Sequence, residues 1–395
     1  MSEENRWLLP EGIDEALPEQ AQALEALRRQ VVDLYNSWGY ELVMPPFIEY
    51  LDSLLTGTGH DLELQTFTVT DQLSGRLLGV RADMTPQVAR IDAHRLRSDL
   101  PTRLCYLGTV LNTRPEGFSG TRSPLQVGAE LYGHSGIESD VEILSLMLET
   151  MRLTGVQNVH VDLGHVGIFR GLARQAGLNG AQEAALFEAL QRKAKPEIDA
   201  FFDKLSIDDY VEEMLRALSD LNGDATVLKE AGEVLEHAGA DVRGALDELT
   251  AIARMMEARL PNTPLYFDLA ELRGYRYHTG IVFAAFVPGR GQAIAQGGRY
   301  DEIGKVFGRA RPATGFSADL KTLVALGEQA ATAECNAIFA PADGDSDFHQ
   351  KVFELRAQRE RVIHELSGQQ GDAKAMGCSR VLVEQGGDWV VEPLD

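Results

Sequence analysis

Apolar residues recur at helical spacing over residues 18–37 (PEQAQALEALRRQVVDLYNS), which predicts an amphipathic helix stopped by Gly39. The following YELVMPPF reads as a strand ending at Pro45-Pro46, since proline has no amide to donate to a ladder. Thr66 to Thr70 and Leu77 to Arg81 are short strand candidates around an acidic turn, and TPQVARIDAHR from Thr85 reads as a helix. Leu104–Leu111 and Pro124–Tyr132 are two apolar runs joined by the polar loop TRPEGFSGTRS, the pattern of a long antiparallel hairpin with a mobile tip. A strongly periodic helix over 137–154 and a strand at Val159–Leu163 come next. From about 166 to 257 the chain is rich in Ala, Leu and Glu with almost no strand signal, so a helical block is inserted between strands of one sheet.

Strand patterning returns at Pro264–Leu269. Residues 280–287 (GIVFAAFV) and 292–296 (QAIAQ) predict a second meander across the PGRG turn. GGRYDEIGKVFGRARPATGF reads as a glycine- and arginine-rich loop, and ADLKTLVALGEQ as a closing helix. Residues 328–395 look like a small α/β unit: a strand in NAIFAP, a helix over 347–366, and a hairpin over Gly386-Gly387. The whole is α+β, without repeats or low-complexity tracts.

Composition narrows the function. A chain of 395 residues suggests about two to three domains. No apolar run is long enough to span a bilayer, and MSEENRW lacks the cationic and apolar regions of a secretory signal. Cys105, Cys335 and Cys378 are odd in number, far apart and without CxxC spacing, which fits free thiols in a reducing cytoplasm. The formal charge of −23 disfavours extended phosphate contacts, so neither nucleic acid nor membrane is an expected partner.

No cofactor is expected. GxGxxG fails because position 294 is Ile, and no P-loop is present, so Gly289, Gly291 and Gly297 read as turns and close packing. His160, Asp162 and His165 lack a fourth ligand and helical spacing, and read as a strand with alternating faces and a turn histidine; no metal ligands are assigned. No GxSxG elbow and no activated cysteine supports covalent hydrolysis. Polar residues on apparent strands stand out instead: Asp83, Thr85, Gln126, Glu130, Arg273 and Tyr277. Gln126 and Glu130 share the parity of one strand face. Polar residues aimed into a sheet imply a polar pocket, and clustered carboxylates suit an ammonium or imidazolium group.

The same residues carry a resemblance. The Pro-ended strand after a long helix, VRADMTPQVAR, the hairpin LCYLGTVL…QVGAELYG, LRGYRYHTGIVF, QGGRYDEIGKVFG and PATGFSADLKTL together resemble the catalytic domain of histidyl-tRNA synthetase, a class II synthetase, over roughly residues 5–327. The helical insertion matches in place. The resemblance implies an antiparallel sheet with flanking helices and a histidine-like pocket of Asp83, Thr85, Tyr106, Gln126, Glu130, Arg273, Tyr277 and His278. Asp83 stands where the family has a glutamate for the α-amino group, and His278 replaces the second tyrosine of the family's histidine motif.

The departures lie on the nucleotide side. Asn112 occupies the position of the family's α-phosphate arginine, followed by Thr113, Arg114, Pro115 and Glu116 in place of its His-Glu-Arg-Pro. Asp319, Leu320, Lys321 and Thr322 replace its last-motif Gly-Leu-Glu-Arg. Adenylation needs fixed cations against a triphosphate. The tail after residue 327 is shorter than the family's anticodon-binding domain, and its helix carries charges of both signs. The chain is therefore most similar to a paralogue family, the regulatory subunits of ATP phosphoribosyltransferase. That resemblance implies a non-catalytic subunit with no catalytic residues of its own, acting in histidine biosynthesis. It also implies self-dimerisation, a hetero-octamer with a short-form catalytic subunit, and histidine as effector. The expected domains are 1–327, with the insertion, and 328–395.

Overall fold

The computed structural model describes residues 7–56, 60–115, 120–271, 274, 277–327, 336–342 and 344–394. The chain divides into two compact units, residues 1–329 and 330–395.

The first unit begins with α1 (Pro18–Ser37), which carries proline in its first turn and buries Leu24, Val31 and Tyr35 along one side. β1 (Glu41–Leu42) is only two residues long. β2 (Ile48–Tyr50), the short helices α2 (Leu51–Leu54) and α3 (His60–Gln65), β3 (Thr68–Thr70) and β4 (Leu77–Val80) follow. β2, β4 and β3 pair antiparallel as a small sheet in that order. α4 (Thr85–Ile91) runs into a π-helical turn, Asp92–Leu96. β5 (Thr102–Thr109) and β6 (Leu125–Tyr132) form the expected antiparallel hairpin. Part of its tip, residues 116–119, lies outside the described residues.

α5 (Ile137–Leu153) and β7 (His160–His165) lead into the insertion. It comprises α6 (Val166–Gln175), α7 (Gly180–Gln191), α8 (Lys195–Phe202), α9 (Asp209–Ala217), the two-residue β8 (Asn222–Gly223), α10 (Val227–Val234) and α11 (Ala240–Arg259). β9 (Leu265–Asp268), β10 (Ile281–Phe286), β11 (Ala295–Arg299), a 3-10 turn (Ile303–Phe307), β12 (Ala313–Asp319) and α12 (Leu320–Leu326) complete the unit. Among the described residues nine strands form one sheet, ordered β1-β5-β6-β12-β11-β10-β7-β9-β8. Its centre is antiparallel, and it is parallel only at β1–β5 and β7–β9. Strand alternation gives the sheet two faces. One face, with Val127, Ala129, Phe316, Phe283 and Leu163, packs into the main core with α1, α5 and the insertion helices.

Three expectations shift. The stretch read as loop from 297 to 316 contains the end of β11 and most of β12, a central strand. Its small residues (ATGFSAD) lack strand propensity, yet pairing on both sides decides the conformation. β11 accordingly sits three residues later than QAIAQ suggests. Asp83, Thr85 and Tyr277 are not on strands: the first two stand at the entry to α4, and Tyr277 lies in a turn before β10, while Arg273 lies outside the described residues.

The second unit, taken by itself, is a sheet ordered β14-β13-β15-β16 with α13 packed on it: β13 (Ala337–Ala340), α13 (Ser346–Ala357), β14 (Val362–His364), β15 (Cys378–Gln385) and β16 (Asp388–Pro393). The helix expected over 347–366 ends at Ala357, because Arg359 takes a left-handed φ of 67° and the β-branched Val362-Ile363 join β13. The hairpin over Gly386-Gly387 is present, both glycines at positive φ.

Candidate functional site

The register across β5, β6 and β12 builds the site. Leu104, Glu130 and Gly315 lie opposite one another, as do Tyr106, Gly128 and Ser317 in the next row of the same face. The glycines are required here. A Cβ on Gly128 would overlap the Tyr106 hydroxyl, and one on Gly315 would overlap Glu130 Oε2. Tyr106 can therefore lie flat across β6 and reach Glu130.

Glu130 is the hub, 1% exposed. Its Oε1 accepts from the Tyr106 hydroxyl at 2.8 Å and the Thr85 hydroxyl at 3.1 Å, and its Oε2 accepts from the Tyr300 hydroxyl. Gln126 stands two rows from Glu130 on the same face of β6, past Gly128. Its Nε2 donates to Asp83 Oδ1 at 2.6 Å, and its Oε1 accepts from the Met84 amide at 2.9 Å. Asp83 Oδ1 also accepts from the Thr85 amide at 3.1 Å, which fixes the chain as it enters α4. Tyr277 stacks on Tyr300 at 5.0 Å between ring centroids and meets His278 edge-on at 5.4 Å. The buried Tyr277 hydroxyl has no hydrogen-bond partner among the described residues.

Electrostatics follow from this burial. Desolvation pushes the Glu130 carboxyl up to about 8; its three hydroxyl donors pull it down, and the nearby Asp83 charge pushes it further up. The phenols of Tyr106, Tyr277 and Tyr300 are raised well above their ordinary value by burial and by the charge of Glu130. The pocket thus holds a carboxyl poised to lose its proton when a cation arrives.

The structure brings together Asp83, Thr85, Tyr106, Gln126, Glu130, Tyr277 and His278; Arg273 lies outside the described residues. Tyr300 was missed, although it stands inside QGGRYD, where an aromatic following two glycines and an arginine was the available signal. The cavity above these residues holds about 980 Å³, at the upper end of the roughly 300–1,000 Å³ usual for small-molecule sites. It extends over Ala284, Gln296 and Ser317 to α7, where Glu183, Phe187 and Glu188 line it. That wall belongs to the insertion and was not legible as part of the pocket.

The nucleotide-side positions are engaged in structure. Asn112 bridges Thr66, and its carbonyl accepts from Arg122 Nε at 3.0 Å. Asp319 caps α12 and accepts from the Leu125 amide at 2.9 Å, while the Thr322 hydroxyl donates back to Asp319 at 2.8 Å. Lys321 Nζ reaches Asp14 at 3.0 Å and the Ser123 carbonyl at 2.8 Å, which ties the chain's N-terminal segment to the hairpin. Arg114 is exposed and Glu116 falls outside the described residues. His160 stacks on Phe286 at 5.7 Å, whereas His165 projects from the opposite strand face and caps α6.

This geometry agrees with the comparisons. Residues 12–323 match the family described as histidyl-tRNA synthetase, and residues 335–392 match the ATP phosphoribosyltransferase subunit HisZ C-terminal domain. The ATP phosphoribosyltransferase regulatory subunit of Thioalkalivibrio sulfidiphilus is 63% identical over 395 residues, covering 100% of both chains. That of Alkalilimnicola ehrlichii is 62% identical over 395 residues, 100% of this chain and 98% of its own. A solved structure from Bacillus halodurans, described as an ATP phosphoribosyltransferase regulatory subunit/histidyl-tRNA synthetase, superposes with a TM-score of 0.83 at 26% identity, over 95% of this chain and 97% of that one. Fold and site therefore define an α+β protein of the class II histidyl-tRNA synthetase type. Within that class, the chain belongs to the family of ATP phosphoribosyltransferase regulatory subunits.

Proposed function

We propose that this chain is the regulatory subunit of an ATP phosphoribosyltransferase, without catalytic activity of its own, and that it senses histidine for the first step of histidine biosynthesis. One observation carries the reading. Around Glu130 the described pocket residues lie within bonding reach of one another, while Asn112 is held through its backbone, and Asp319, Lys321 and Thr322 through their side chains, at positions where a synthetase needs cations. Absent phosphate-binding forks cost adenylation orders of magnitude in rate. In this reading Asp83, Thr85, Gln126 and Arg273 take the ammonium and carboxylate ends of histidine. Glu130, Tyr106, Tyr277 and His278 take its imidazole. Histidine then acts by preferring one of two states of the assembly.

The partner is a short-form catalytic subunit in a hetero-octamer in the cytoplasm. Residues 1–327 serve as the ligand domain and 328–395 as a separate small domain. Self-dimerisation is supported by an apolar face on the small sheet: Ile48 (46% exposed), Tyr50 (39%) and Val69 (47%) project from the side that Leu78 shares. Among the described residues no helix is long and apolar enough to cross a membrane.

The test is phosphoribosyl transfer to ATP by a short catalytic chain, with and without this protein, titrated with histidine. Stimulation that histidine reverses is expected. Robust histidine-dependent exchange of pyrophosphate into ATP by this chain alone would overturn the reading in favour of a working histidine-activating enzyme.

A further inference from the structure

The segment after α4 carries features that the pocket does not use. Asp92–Leu96 is π-helical, a rare conformation that gathers at functional places, and it closes at Arg97 with a positive φ of 51°. His94, Arg95 and Arg97 are exposed there, and so are Leu96 (47%) and Leu100 (73%). Alongside runs the 3-10 turn Ile303–Phe307, with Lys305 exposed and Val306 50% exposed. The two segments are one surface. The His94 ring meets Phe307 edge-on at 6.4 Å, Arg309 pairs with Asp99, and buried Arg311 binds Asp92 at 2.7 Å and the Leu100 carbonyl at 2.6 Å.

Its charge runs against the rest of the molecule. Segments 92–100 and 303–311 hold five Lys or Arg and two carboxylates, in a chain of net charge −23. Both carboxylates are engaged, Asp92 by Arg311 and Asp99 by Arg309. Among the described residues neither Arg95 nor Arg97 has a carboxylate partner; Arg97 Nε donates only to the His94 carbonyl, at 3.1 Å. Two uncompensated arginines thus stand among three exposed aliphatic side chains. Arginine beside apolar anchors is the composition of a protein interface core. Nucleic acid is the poorer fit, since two free arginines supply few phosphate contacts and the rest of the surface repels a polyanion.

We propose that this π turn and its 3-10 neighbour form a docking surface for a protein partner that presents carboxylates around an apolar socket. The inference rests on the regulatory-subunit reading and names the surface through which that subunit meets its catalytic chain. Charge complementarity commits the occupant: the two arginines steer an acidic partner, and Leu96, Leu100 and Val306 supply the buried contact.

The experiment uses the full chain and the short catalytic subunit, with association measured by sedimentation at low and moderate salt. Arg95→Glu/Arg97→Glu should weaken association at least about 30-fold, Leu100→Asp should weaken it similarly, and Arg95→Lys/Arg97→Lys should stay within about threefold. Wild-type affinity should fall with salt, and the double-reversal variant should lose most of that dependence. Unchanged circular dichroism and histidine affinity in the variants establish that the fold persists. Wild type that binds while the reversal variant binds equally well overturns this surface alone. Wild type that does not bind overturns the regulatory reading and the surface together. Retention of RNA by wild type and not by the variant assigns the patch to nucleic acid and also overturns the proposal.

Discussion

Glu130→Gln is the sharpest perturbation of the pocket, because it keeps the shape of the carboxyl and removes its titration. The folded carboxyl sits at about 8 against an ordinary value of 4.5. A raised carboxyl keeps a proton in the folded chain that the unfolded chain has already lost. Stability is therefore fully present below 4.5, falls as pH rises to about 8, and is flat above that. Each unit is worth about 1.4 kcal/mol, so the full span costs wild type up to about 5 kcal/mol. Glutamine pays no such penalty. The stability of Glu130→Gln relative to wild type should grow by about 3 kcal/mol between pH 5.5 and pH 8 and then level off. Urea unfolding with hydrogen exchange read at the β5–β6 amides follows this transition without interference from the separate C-terminal unit. A difference that does not change with pH refutes the reasoning. So does one that shrinks as pH rises. The same proton governs the ligand: if ionised Glu130 pairs with an imidazolium, histidine affinity rises up to about tenfold per pH unit up to about pH 6.5, with proton release seen by calorimetry in two buffers, and levels off from there to about pH 8 as the free imidazole loses its own proton.

Two more predictions follow from the geometry. Gly315→Ala places a methyl on Glu130 Oε2, so histidine affinity should fall at least about tenfold while secondary structure persists; unchanged calorimetric affinity counts against the pocket. Lys321→Met removes the bond to Asp14 and the Ser123 carbonyl, so backbone amides of residues 10–15 should exchange faster while histidine binding stays within about twofold; unchanged exchange shows that the segment is held by other contacts.

The sequence made the hairpin legible because β5 and β6 are apolar runs with clear alternation, and of the two candidates on one face of β6, Glu130 lines the cavity while Gln126 braces Asp83 beside it. β12 was hidden by the demand of the site itself. Gly315 must be bare to admit Glu130, and a strand stripped of side chains for that purpose looks like a loop. Tyr300 escaped for a related reason. It lies in the stretch that reads as a glycine- and arginine-rich loop, where nothing separates Arg299, whose buried pairing with Asp140 at 2.8 Å is structural, from the pocket aromatic beside it. The α7 wall was invisible because nothing in an alternating helical sequence says which strand it will face.

The negative charge of the chain and the architecture of its pocket point the same way. In the proposed reading, a site with a carboxyl hub, and with Asn112 and Thr322 where a synthetase has phosphate-gripping arginines, has its binding energy available for choosing between states of a complex. In that reading Glu130 makes the choice sensitive to the ligand's charge, since a neutral isostere of histidine leaves the buried carboxyl protonated and forms no ion pair with it. For the preference to reach a catalytic partner, the pocket must be coupled to an interface. α4 supplies a physical route. It begins at Thr85, which holds Glu130 at 3.1 Å, and it ends in the π turn that presents Arg95 and Arg97. A shift of α4 on ligand binding moves both ends of one short rigid element. Arg95→Glu/Arg97→Glu should therefore abolish histidine's effect on the partner while leaving histidine affinity in the isolated chain intact.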